Sequence, residues 1–99
     1  MKKVVIFASG SGSNAENIIL YFKNIIHVNV VAVFTNNLHA KVLDKANHHA
    51  ITTEVFNKTE LSDGTVLNKI NDIKPDLIIL AGFLLKFPES IVDAFSNIR

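Results

Sequence analysis

The sequence predicts an α/β protein with a doubly wound, Rossmann-like parallel sheet, and three observations carry that expectation. Apolar, β-branched runs alternate with stripes of helical period along the whole chain, which is the βαβα order of a parallel sheet covered on both faces. The first run, Val4–Ala8, drops straight into Ser9-Gly10-Ser11-Gly12-Ser13-Asn14, and an amphipathic pattern follows at once. The last run, Asp76–Ala81, is continuously apolar and stops at Gly82, as a strand buried on both faces should.

Each element has its own local justification. Lys3–Ala8 reads as a buried strand. Ala15, Ile18, Ile19, Phe22, Ile25 and Ile26 repeat at helical spacing and give the first helix one apolar face. Val28–Phe34 is β-branched and ends at Thr35-Asn36-Asn37, a turn signal. Leu43, Ala46 and Ala50 suggest a short second helix, and Thr52–Phe56 a short strand. Leu61, Val66, Leu67, Ile70 and Ile73 form a third helical stripe that Lys74-Pro75 stops. Pro88 opens a last helix carrying Ile91, Val92 and Phe95, and Ile98 is expected to begin a fifth strand. In such a sheet the first strand usually lies beside the fourth. One crevice is therefore expected between the Gly10–Asn14 turn and Gly82-Phe83-Leu84-Leu85.

Composition narrows the function classes. The chain has 99 residues, no cysteine, a net charge of +1 and 48% hydrophobic residues. Such a charge leaves no electrostatic footprint for nucleic acid. No apolar run approaches the roughly 18–20 residues of a membrane span, and Ser9-Gly10-Ser11-Gly12 interrupts the first run too early for a signal peptide. Absence of cysteine removes disulfides and thiolate chemistry and fits the cytoplasm, the expected compartment. The mean hydropathy of +0.30 is high for one small domain. Much of so small a domain stays in water, so the excess points to further chain or a partner.

The Gly/Ser turn carries the chemistry. Two glycines let the backbone turn tightly and approach a ligand, and the following helix aims its free N–H groups at the same spot. No lysine follows the glycines, which excludes the ATP-type P-loop. Gly10-x-Gly12-x-x-Ala15 matches the loose dinucleotide fingerprint, but that fingerprint wants a carboxylate about 20 residues on. Thr35-Asn36-Asn37 offers none, so a nicotinamide cofactor is disfavoured. Ser9, Ser11, Ser13 and Asn14 add hydroxyl and amide donors that suit a terminal phosphate. Ser13-x-x-Glu16 equally fits a capping box, in which Ser13 only closes the helix. His27, His39, His48 and His49 show no metal-ligand spacing and read as solvated surface residues, so no metal is expected. Leu84, Leu85 and Phe87 fit either a pocket wall or ordinary core. Lys58 fits either a ligand contact or plain surface. No group of residues reads as a catalytic centre.

Ser9-Gly10-Ser11-Gly12-Ser13-Asn14 resembles the S-G-x-G-S-N turn of the phosphoribosylglycinamide formyltransferases, folate-dependent enzymes of purine synthesis. Ala32-Val33-Phe34-Thr35-Asn36 is similar to that family's second strand, and Pro75–Leu84 to its fourth strand and the loop after it. The likeness covers the whole chain, and the related tRNA formyltransferases lack the G-S-N turn. It implies the formyltransferase fold, truncated after the fourth βα unit. Residues 1–99 would then be the amino-terminal, phosphate-binding part of the domain. By the same resemblance, Gly12, Ser13 and Asn14 would hold the ribose phosphate of 5-phosphoribosylglycinamide. Leu84, Leu85, Lys86 and Phe87 would line the pocket for 10-formyltetrahydrofolate, the co-substrate, and Lys58 would stand where the family places a basic folate contact. Lys86 departs from the family pattern, in which Arg more often follows the Met or Leu. Family members are longer, and their catalytic Asn and His (in N-x-H-P) and Asp lie beyond the position of Arg99. The chain by itself is therefore expected to be inactive, and its expected partners are its own carboxy-terminal half or a second copy. The alternative is a non-catalytic binding module for a small phosphorylated metabolite.

Overall fold

A computed structural model describes residues 2–95 and 97–99. Strand β1 (Lys2–Phe7) leads through the Gly/Ser turn into helix α1 (Ser13–Lys23). Strand β2 (Val28–Thr35), helix α2 (Val42–His48) and strand β3 (Thr52–Val55) follow. Two helices, α3 (Lys58–Ser62) and α4 (Thr65–Ile73), precede β4 (Leu77–Leu80), and α5 (Glu89–Ala94) follows it. The sheet has the order β3-β2-β1-β4, with every pairing parallel. The strand order reverses between β1 and β4, so the expected switch point is present.

Strand alternation sends side chains to two cores. Val4, Ile6, Ala8, Val30 and Val33 face α1 and α2, where Ala15, Ile19, Val42 and Ala46 cover them. Val5, Phe7, Ala32, Phe34 and Ile78 face the other side, against Leu61, Val66, Ile70 and Ile91. One irregularity sits in β2, where the register steps from Val4↔Val30 to Val5↔Ala32. Val31 is the extra residue and packs on the same side as Ala32. Phe7 anchors the second core, stacked on Phe34 at 4.9 Å and edge-on to Phe87 at 4.8 Å.

Several elements differ from the sequence reading. The third helical stripe is two helices, because Gly64 takes φ 99° and breaks the backbone between Ser62 and Thr65. Asp63 closes the gap by accepting from the Thr65 N–H at 2.9 Å and its hydroxyl at 2.7 Å. These bonds hold the exposed Asp63 carboxyl below its ordinary value, the hydroxyl contributing most. The buried face of α2 is Val42 and Ala46, whereas Ala50 lies past the helix, exposed at φ 58°. In α1 the apolar face ends before Ile26, which is 80% exposed. The last helix stops at Ala94, and Phe95 leaves it in extended conformation to pack on the second core. Ile98 does begin a pairing beside β4, bridging Ile78 in parallel. Leu80 N–H donates to Arg99 O at 2.7 Å there, and Arg99 N–H to Ile78 O at 2.9 Å.

Candidate functional site

The expected crevice falls at the carboxyl ends of β1 and β4, where the strand order reverses. Gly12 is the N-cap of α1, with φ 76° and no side-chain cap. Its carbonyl takes the Glu16 N–H at 2.7 Å, which opens the helix. Ser13 and Asn14 form the first turn and are exposed, so their hydroxyl and amide stand beside the helix's free N–H groups.

The capping box read from Ser13-x-x-Glu16 does not form. With Gly12 as N-cap, Ser13 is already the first helical residue and Glu16 is one position too far along to reach back. The Glu16 carboxylate instead meets the Nε2 of His49 at 3.3 Å. A capping box does occur elsewhere, at the start of α3. The Asn57 side chain accepts from Glu60 N–H at 2.8 Å, and Glu60 accepts from Asn57 N–H at 2.9 Å.

The two glycines of the turn do different work. A Cβ on Gly10 would meet nothing within 4 Å. A Cβ on Gly12 would lie 2.6 Å from the Val42 Cβ and 2.7 Å from its Cα. Close packing of the turn on α2, together with positive φ, is what demands glycine at position 12.

Ser9 is not a donor to ligand. It is buried, and its hydroxyl donates to Asn36 Oδ1 at 2.7 Å while accepting the Leu84 N–H at 3.0 Å. One side chain thus ties the turn to the end of β2 and to the loop after β4. In the linear sequence Ser9 has the same standing as Ser11 and Ser13. Burial separates them, because a hydroxyl shut in beside an amide and a free N–H satisfies those first.

Past Gly82, at φ 69°, the loop divides its side chains. Leu84 is 83% exposed and Lys86 is exposed, whereas Phe87 turns inward onto Phe7 and Phe83. Leu84, Leu85 and Lys86 line an open cavity of about 270 Å³ together with Lys58, Leu61, Ser62 and Pro88. Lys58, distant in sequence, is therefore brought beside the Leu84–Lys86 loop by the start of α3. Phe87 is not among the residues lining that cavity.

The reading of all four histidines as solvated fails at His49. Its side chain is only 8% exposed, held between Glu16 and Lys23. It sits at the C-cap of α2, where its ring turns back toward α1. The sequence shows only adjacent histidines, and nothing in that pair signals the contact.

Comparison with known proteins agrees with this architecture. A formyl transferase family model matches residues 2–98. The chain is 34% identical to phosphoribosylglycinamide formyltransferase of Escherichia coli (strain K12), over 95% of this chain and 47% of that protein. It is 28% identical to the chloroplastic phosphoribosylglycinamide formyltransferase of Vigna unguiculata, over 97% of this chain and 33% of that one. The crystal structure of phosphoribosylglycinamide formyltransferase from Brucella melitensis superposes with a TM-score of 0.89 at 31% identity, covering 98% of this chain and 54% of that chain. The chain thus spans less than half of the length of these curated relatives. No helix among the described residues is long and apolar enough to cross a membrane. With its sheet order, its Gly12-Ser13-Asn14 turn and its match over residues 2–98, the chain belongs to the formyl transferase family and corresponds to the amino-terminal half of its phosphoribosylglycinamide formyltransferase members.

Proposed function

We propose that this chain supplies the ribonucleotide-phosphate site and part of the folate pocket of a phosphoribosylglycinamide formyltransferase, with 5-phosphoribosylglycinamide as substrate and 10-formyltetrahydrofolate as co-substrate. The observation that carries the reading is that the turn and the loop after β4 adjoin, the Ser9 hydroxyl accepting the Leu84 N–H at 3.0 Å. On one side stand the exposed Ser13 and Asn14 and the free N–H groups of α1, with Gly12 setting the turn. A phosphate there meets several donors and the positive end of the helix dipole. On the other side, Lys58 and Lys86 rim a cavity whose wall includes Leu84 and Leu85. An apolar wall suits the flat ring of a folate, and either cation suits its carboxylates. Phe87, next after Lys86, packs inward on Phe7.

Formyl folate supplies the one-carbon unit when bound. The residues of this chain bind and orient the two reactants, bringing the amine and the formyl carbon together. The catalytic Asn, His and Asp belong, on this reading, to sequence beyond Arg99. The cytoplasm is the proposed compartment.

Calorimetric titration with 5-phosphoribosylglycinamide, inorganic phosphate and NAD tests the binding half of the proposal. The phosphomonoesters are expected to bind and NAD to bind more weakly or not at all; tighter binding of NAD overturns it. A formyl-transfer assay on the natural full-length product of the reading frame tests the chemistry. Phosphate binding without any transfer there would favour the non-catalytic binding module instead.

A further inference from the structure

The polar chain Glu16–His49–Lys23 lies beside the phosphate turn and has no part in the function proposed above. His49 Nδ1 is 3.3 Å from Lys23 Nζ, and its Nε2 is 3.3 Å from Glu16 Oε2. A lysine ammonium can only donate, so Nδ1 accepts, and in the neutral ring the proton sits on Nε2, facing the carboxylate. Each contact is therefore matched in polarity. The His48 ring, 5.3 Å away and edge-on, is the other titratable group against His49.

Glu16 is the fourth residue of α1, and a long side chain there leans toward the helix N-terminus. Left alone, its carboxylate would put a negative charge near the first turn, where any anion meets the free N–H groups. Lys23 cannot hold it directly. Seven residues separate the two on the same helix, a rise of about 10 Å. His49, brought in from the C-cap of α2, spans that gap.

We propose that His49 is a positioning residue that holds the Glu16 carboxylate away from the α1 N-terminus and so keeps the phosphate site open. The inference rests on the phosphate-site reading given under Proposed function. A carboxylate set free near that site repels a phosphate. The expected weakening is about three- to tenfold, the size of one charge acting at a helix N-terminus.

The test uses the natural full-length product of the reading frame, titrated with inorganic phosphate and with 5-phosphoribosylglycinamide. His49→Phe keeps a buried ring and removes both nitrogens, and it should weaken both ligands by that factor. His49→Leu serves the same purpose should the phenyl ring not fit. Adding Glu16→Gln to either variant removes the repelling charge and should return affinity to within about twofold of wild type, the usual error of additivity. Unchanged affinity in the single variant overturns the inference. So does a loss that Glu16→Gln fails to restore, because that outcome assigns His49 to packing alone. If wild type binds neither ligand, the phosphate-site reading fails and takes this one with it. If wild type binds and His49→Phe binds equally well, only this inference falls.

Discussion

Gly12 shows how one position can be demanded by packing while belonging to a turn proposed to bind phosphate. Its φ of 76° disfavours any side chain, and a Cβ there would come within 2.6 Å of Val42. Gly12→Ala is expected to lower stability by about 2–4 kcal/mol, the sum of left-handed strain and overpacking. Gly10→Ala, facing open space, should change it by less than about 0.5 kcal/mol. Urea unfolding of the two variants checks the contrast, and equal losses would contradict it. Shortening Val42 should restore only part of the Gly12→Ala loss, since the Val42 Cα itself lies at 2.7 Å. Ser9 works at the same scale by a different means, using one hydroxyl to join three segments.

At the scale of the element, start signals compete and geometry picks between them. Ser13-x-x-Glu16 and Asn57-x-x-Glu60 have the same spacing, yet only the second closes reciprocally. The difference is one residue of phase. Asn57 has extended backbone and precedes its helix, whereas Ser13 already lies inside α1 because Gly12 has taken the cap. Asn57→Ala is therefore expected to cost about 1 kcal/mol, the usual loss for an N-cap. Because α3 carries Lys58 into the cavity with Leu84–Lys86, the same variant should loosen that wall. Thermal unfolding measures the first effect, and amide hydrogen exchange over Lys58–Ser62 the second. An unchanged melting temperature with unchanged exchange would show that the box is not holding the helix. The break at Gly64 belongs here too, since a continuous apolar stripe hid a change of direction that positive φ made necessary.

For the whole molecule, the sheet edges decide behaviour. On the outer side of β4 only the short stretch Asn97–Arg99 pairs with the strand among the described residues. Leu77 and Ile79, which pack on the first core, are only partly buried. A lightly covered edge beside apolar side chains recruits other chains. The 99-residue chain expressed by itself is expected to self-associate in a concentration-dependent way, measurable by sedimentation velocity. A strictly monomeric chain with cooperative unfolding at high temperature would argue against that account.

Local patterns suffice for the alternation of strands and helices, the parallel sheet, the glycine–serine turn between β1 and α1, and the family. Period, turn residues and continuous apolar runs are each contained within one segment, so they can be read along the chain. Lys58, Leu84, Leu85 and Lys86 could be named in advance only by resemblance, and their meeting in one cavity depends on where α3 packs. Packing alone made Ser9 face inward, forced Gly12 to make room for Val42, and buried His49 against Glu16. Each of those outcomes joins segments far apart in the chain. Burial and partner choice are properties of the packed whole, so no spacing within one segment could have announced them.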